Sequence, residues 1–254
     1  MKQKVVGYII FALFISTTQA QQFINKGSIE FEVITNVKKT MGNSGFWEQL
    51  KDQMPTFKTA YYKFTFADNK SIYKFDHYDE TKAKVPEFLR RGEDDNVWYY
   101  DFTSQQNYVQ KSIFGTLLNL KDSIKPINWK ITNESRVIAG FNCRKAVGVI
   151  LDSVYVFVFY TDEITISGGP SSINGLPGMI LGVTIPRLYA SMIATKLSLA
   201  DAKDVIKPIT AKKMYTSREL KVILDQRIKE ETSNREQTED DKKWIDQLYW
   251  NTLL

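Results

Sequence analysis

Apolar and polar residues alternate along most of this chain with the period of two that marks a strand with one wet face. Ile29, Phe31 and Val33 alternate with Glu30 and Glu32, the pattern of a sheet whose other face is buried. Residues 61–66 and 71–75 flank Ala67-Asp68-Asn69-Lys70 and predict a hairpin. Residues 97–102 and 107–110 flank Thr103-Ser104-Gln105-Gln106 and predict a second. Further strand-like runs occupy 129–131, 136–150, 154–161, 179–185 and 190–199. Their connections are short and contain no helix of crossover length, which argues for an antiparallel sheet over a Rossmann-type one.

Helical signals are few. Phe46, Trp47 and Leu50 lie at helical spacing within 44–54, with Pro55 as a stop. Thr216-Ser217-Arg218-Glu219 fits a capping box ahead of Leu220, Ile223, Leu224 and Ile228. Residues 229–243 contain no apolar side chain and read as a solvated helix or a linker. Trp244, Ile245, Leu248, Tyr249 and Trp250 then form a dense apolar segment. Trp244, Ile245 and Leu248 share a helical face, so the segment either folds back on its own domain or docks on a partner.

The first twenty residues differ from the rest. Lys2 and Lys4 precede an apolar run from Val5 to Ile15, and Thr18 and Ala20 end the stretch with small residues. This is the pattern of a secretory signal peptide, and the run falls short of the roughly 20 residues that span a bilayer. Cleavage after Ala20 gives a periplasmic protein with no membrane span. The chain is therefore divided into a leader (1–20), a mainly antiparallel β domain (21–228) and a polar spacer with an apolar C-terminal segment (229–254). The net charge of +5 includes Lys2 and Lys4 of the leader. The remaining basic residues interleave with acids instead of clustering, which excludes nucleic acid as a partner. A single cysteine, Cys143, rules out an internal disulfide, so an aromatic-rich core must hold the domain.

Catalytic chemistry finds little footing in the sequence. The only histidine, His77, sits in the polar stretch Phe75-Asp76-His77-Tyr78-Asp79, where it reads as a surface residue and not as a general base. One histidine and one distant cysteine match no zinc spacing, and no phosphate-binding glycine pattern occurs. These observations predict a non-enzymatic protein with no cofactor and no metal. Cys143, beside Phe141 on one strand face, reads as a small core residue.

The most distinctive stretch is Gly168-Gly169-Pro170 followed by Gly175-Leu176-Pro177-Gly178-Met179-Ile180. Leu176-Pro177-Gly178 suits a type II turn, with Pro177 fixing φ and Gly178 supplying a positive one. These seven residues, Gly168, Gly169, Pro170, Gly175, Leu176, Pro177 and Gly178, are either a tight crossover or a recognition loop. The hexapeptide, together with Trp129, the segment Gly140-Phe141-Asn142-Cys143-Arg144-Lys145-Ala146 and Tyr160-Thr161-Asp162-Glu163-Ile164, resembles the GLPGLI family of exported Bacteroidota proteins. Thr165 departs from the proline that family favours. The resemblance implies a cell-envelope lineage and no defined activity.

The expected fold is mainly β (α+β), a single curved antiparallel sheet or half-barrel of about nine strands with a few helices, similar to periplasmic lipoprotein carriers. Two functions fit that expectation. One is a binding or carrier protein with an apolar groove and an apolar ligand. The other is an accessory subunit of an outer-membrane assembly such as a TonB-dependent transporter, docked through Trp244, Ile245, Leu248 and Trp250.

Overall fold

The computed structural model describes residues 23–41, 46–90, 92–199, 206–233 and 238–254. The expected leader, its expected cleavage point and the first residues of the helix expected over 44–54 lie outside these. The described strands are β1 (Gly27–Asn36), β2 (Phe57–Ala67), β3 (Lys70–Tyr78), β4 (Val97–Asp101), β5 (Gln106–Ile113) and β6 (Thr116–Ser123), then β7 (Lys130–Ile138), β8 (Phe141–Ile150), β9 (Val154–Thr161), β10 (Met179–Ile185) and β11 (Ala190–Ser198). Helices are α1 (Val37–Thr40), α2 (Phe46–Lys51), α3 (Glu87–Arg90), α4 (Ser217–Thr232) and α5 (Glu239–Leu253). No helix among the described residues is long and apolar enough to cross a membrane.

All the strands join one 11-stranded sheet in the order β6-β5-β4-β3-β2-β1-β11-β10-β9-β8-β7, and neighbouring strands pair antiparallel. The chain thus meanders from the centre to one edge, crosses to the other edge and meanders back. The sheet is open, because β6 and β7 do not pair with each other. Yet the crossing from Ser123 to Lys130 is short, and a chain of that length reaches at most roughly 25 Å. Eleven flat strands would hold their edges about 48 Å apart. The sheet is therefore strongly curved.

The expected count of about nine strands falls short for two local reasons. Strand β6 carries Leu117, Leu118 and Leu120 without clean alternation, as an edge strand partly covered by a helix does. The run 136–150 is two strands, split where Ala139 (φ +49°) and Gly140 (φ +87°) turn the chain through the left-handed region. An Ala-Gly turn lacks the Asp-Asn pair that announces the β2–β3 hairpin, where Asp68 and Asn69 adopt φ +52° and +57°.

Register explains the core. Directly paired residues share a face, and the row Ile29–Phe64–Tyr73–Trp98–Val109–Leu120 crosses six strands on one face. One residue out of phase, Glu30–Lys63–Lys74–Val97–Gln110–Asn119 runs along the other. Tyr62 stacks on Tyr73 at 4.9 Å, and Phe31 meets Tyr73 edge-on at 6.1 Å. Helix α4 covers the β5–β6 end of the apolar face through Leu220 and Leu224, which pack on Ile113 and Leu120. Its capping box is complete, with Thr216 Oγ1 accepting from the Glu219 amide and Glu219 accepting from the Thr216 amide. The stretch expected to lie wholly outside the core does not: residues 229–232 continue α4, and Thr232 and Asp241 are buried. Asp241 closes the second capping box, on Thr238, at the start of α5.

Cys143 is fully buried, and desolvation pushes its thiol up to about 11. Alkylation of the native protein at pH 7 is accordingly expected to be negligible and to become rapid in denaturant, as followed by mass spectrometry.

A candidate site in the concave cavity

A cavity of about 770 Å³ opens on the apolar face. Its walls draw Ala60 from β2, Trp98 from β4, Lys111 from β5, Ile185 from β10 and Met192 from β11, together with Trp244 and Leu248 of α5. Strands as far apart in the sheet as β5 and β10 can line one cavity only if this is the concave side.

Two lysines bring charge into it. Lys58 is in phase with Ala60, Tyr62 and Phe64 and so points inward, where only 8% of it is exposed. Its ammonium pairs with Glu93 Oε1 at 2.5 Å and donates to the Leu89 carbonyl at 3.3 Å. Tyr78 Oη donates to Glu93 Oε2 at 3.3 Å. Glu93 is held by a short 3₁₀ turn that follows Gly92. Gly92 has φ +68°, and a Cβ there would collide with the Ser112 side chain, so glycine alone fits. Burial and the neighbouring Glu93 carboxylate push the Tyr62 hydroxyl well up.

Lys111 is in phase with Val109 and Ile113 and is 5% exposed. Its Nζ donates to the carbonyls of Asn251 at 3.1 Å and Thr252 at 2.9 Å, and lies 5.3 Å from the Trp98 ring centroid. Burial pushes its amine down to about 7. Trp98 Nε1 in turn donates to the main-chain oxygen of Leu254 at 3.1 Å. The polar part of the cavity is thus one acid–base network at Lys58 and Glu93, and a second set of donors gripping the end of α5.

The seven residues of the glycine-rich loop do not line this cavity, although Ser171 and Ile173 between them do. Gly168, Gly169 and Pro170 are buried, and a Cβ on Gly168 would strike the Phe64 ring. Leu176 is buried beside Ile173 and Ile180, while Gly175 and Pro177 are exposed. The Gly178 amide donates to the Leu176 carbonyl at 2.8 Å, which closes a γ-turn on Pro177 in place of the expected type II turn. Trp129 packs its ring on Gly148 and donates from Nε1 to the Asn174 carbonyl at 3.0 Å, pinning the loop to β8. At the C-terminal segment, Trp244 and Leu248 reach the cavity, whereas Ile245 is half-buried outside it. Trp250 packs near Leu188 with the Arg187 guanidinium 5.1 Å from its ring.

The sequence reading missed Lys58, Glu93 and Lys111. The available signal was phase, since each lysine occupies an inward position of its strand. His77 remains at the surface, stacked on Tyr61 at 4.8 Å and 2.7 Å from Asp76 Oδ2. Among the described residues no group of three or more metal-ligating side chains converges.

A family model described as the N-terminal domain of N-glycanase peptide, PNGase F-II type, matches residues 82–221, more than half of the chain. Among solved structures, PNGF-II in the P21 space group aligns over 78% of this chain with a TM-score of 0.50 and 14% identity. PNGF-II in the C2 space group aligns over 88% with a TM-score of 0.45 and 14% identity. The chain spans about a third of the length of those proteins, 33% and 32% respectively, and identity so low speaks to fold alone. No curated protein matches.

These findings correct three expectations. The GLPGLI resemblance is overturned, because residues 129–183 that carried it fall inside the N-glycanase domain match. Trp129, Gly175 and Gly178 secure a loop locally, and such packing motifs do not by themselves carry lineage. The exclusion of any link to an enzyme is overturned on the same ground, as is the choice between a carrier and an outer-membrane accessory subunit. By the match over 82–221, this chain belongs to the N-glycanase N-terminal domain family.

Proposed function

We propose that this chain is the domain of an N-glycanase-related protein that engages the N-glycosylated polypeptide, with the concave cavity as its docking site. The family match over residues 82–221 carries this reading, and the cavity supports it. A volume of about 770 Å³ lies in the range of sites that hold small ligands or a few residues of chain. Its mix of aromatic wall and buried donors suits an amphipathic substrate such as a glycosylated peptide. The sheet is read here as a half-barrel, the shape that lets the Lys58–Glu93 network and the Trp98–Lys111 pair face one space.

Calorimetric titration with an N-glycopeptide bearing a high-mannose chain, beside its unglycosylated counterpart and the free glycan, tests the proposal. Saturable heat with the glycopeptide is expected, weakened roughly tenfold or more by Trp98→Ala. Absence of binding at about 1 mM contradicts it.

Export belongs to the same proposal and is supported by Lys2, Lys4, the apolar run and Ala20. N-terminal sequencing of the protein from its native host is expected to begin at Gln21. Retention of Met1 would contradict cleavage.

A further inference from the structure

The two lysines of the cavity, Lys58 and Lys111, are held in opposite ways. Lys58 has a carboxylate partner in Glu93. Lys111 Nζ instead donates to two neutral acceptors, the main-chain carbonyls of Asn251 at 3.1 Å and Thr252 at 2.9 Å, and no carboxylate pairs with it among the described residues. An ammonium carries three N–H donors, whereas a neutral amine carries two and keeps a lone pair. The two carbonyls therefore satisfy the uncharged form in full. A charged Lys111 would be left with a spare donor near the face of Trp98, 5.3 Å from Nζ to the ring centroid, and without a counter-ion.

The charged and titratable groups on the surrounding elements are engaged elsewhere. Asp122 of β6 accepts from the Ser217 amide at 2.6 Å, and Glu93 is taken by Lys58 and Tyr78. The main-chain oxygen of Leu254, at the end of α5, accepts from Trp98 Nε1 at 3.1 Å, Ser171 Oγ at 2.6 Å and Ser172 Oγ. Burial keeps the Tyr100 hydroxyl protonated. Desolvation thus acts on Lys111 without an opposing charge and brings its amine down to about 7. About half of the folded molecules then carry a free lone pair there at neutral pH, against roughly 0.04% for an ordinary lysine.

The geometry points to Lys111 as a nucleophilic amine that captures uncharged aldehydes entering the cavity. Trp98, Ile113, Met192 and Leu248 line the same space of about 770 Å³, so the carbonyl compound it admits is an apolar one. Nζ adds its lone pair to the aldehyde carbon. Its two N–H protons leave with the carbonyl oxygen as water, and a C=N bond replaces the C=O bond, with nothing oxidised or reduced. The imine no longer donates to the Asn251 and Thr252 carbonyls, so capture is reversible and is read by trapping. This chemistry goes beyond glycopeptide docking and does not depend on it.

The full chain is treated at pH 7 with benzaldehyde and cyanoborohydride, which reduces the imine to a stable benzylamine, and the labelled lysines are mapped by peptide mass spectrometry. Lys111 is expected to be benzylated roughly tenfold or more faster than exposed lysines such as Lys74 and Lys196. The advantage should vanish in denaturant, where every lysine is solvated. The same aldehyde carried on a dextran chain should label the exposed lysines and spare Lys111, because it cannot enter the cavity.

Lys111→Met is expected to remove the fast label and leave the rates at Lys74 and Lys196 unchanged; those two act as internal standards even in a less stable variant. Labelling of Lys111 no faster than that of the exposed lysines overturns the inference. So does an advantage that persists in denaturant, whose cause would then be local sequence, or a fast label that survives Lys111→Met. Equal labelling by the dextran-borne aldehyde would put the reactive amine outside the cavity and overturn it as well.

Discussion

Gly178→Ala is expected to lower the folding free energy by about 3 kcal/mol or more, summing the strain of a glycine-only backbone region and an overpacked contact. Gly178 has φ +137°, and a Cβ there would press into the Thr161 main chain. Thr161 is paired with Met179 at the start of β10, so neither backbone can retreat without breaking the β9–β10 ladder. Urea unfolding of the variant measures the loss. Gly115 is the control, because it also has a positive φ, +72°, but nothing lies within 4 Å of its added Cβ. Gly115→Ala should cost only about 1 kcal/mol. Equal small effects at both positions would refute the close approach at Gly178.

Stability is expected to rise with pH between about 7 and 9, by an amount on the order of a few kcal/mol. The cause is Lys111, whose folded-state amine is pushed down to about 7 by burial, from an ordinary value of 10.5. Between those values the unfolded chain binds a proton that the folded protein does not, so raising the pH favours folding. The contribution is lost as pH falls toward 7. Above about pH 9 the buried Cys143 thiol, pushed up to about 11, and then the buried hydroxyls of Tyr62, Tyr73 and Tyr100, all held up by desolvation, reverse the slope, because the unfolded chain ionises first. Thermal unfolding across pH 6–11 should therefore pass through a maximum. Lys111→Met should flatten its rising limb and leave the alkaline fall intact. A wild-type profile that is flat from pH 7 to 9 would mean that Lys111 keeps its proton when buried.

Much of the fold was legible because its physics is local. The alternation of Ile29, Phe31 and Val33, the Asp68-Asn69 turn and the Thr216–Glu219 capping box each specify their own element within a few residues. The curvature was not local. It follows from the brevity of the link between Ser123 and Lys130, and acquires meaning only once β6 and β7 are known to be opposite edges. The site was legible in fragments. Trp244 and Leu248 stood out as apolar, and Gly175–Gly178 as turn chemistry. Lys58 and Lys111 were passed over because a lysine in a strand is ordinarily read as solvent-facing. Their phase with Tyr62 and with Val109 placed them inside, but what makes such positions tolerable, Glu93 for one and the α5 carbonyls for the other, comes from residues far away in sequence. The glycine-rich loop was legible as turn chemistry. Phe64 crowds Gly168 and the Thr161 main chain crowds Gly178, and that crowding accounts for those two glycines without a ligand.

The central claim is that the concave cavity receives N-glycosylated polypeptide, and methyl NMR of the methionines tests it directly. Met192 lines the cavity, whereas Met179 is buried in the cluster with Ile164 and Leu181 and does not. Titration of methyl-labelled protein with an N-glycopeptide is expected to shift the Met192 resonance progressively to saturation and to leave Met179 in place. Saturable binding with Met192 unmoved would put the site elsewhere and contradict the account.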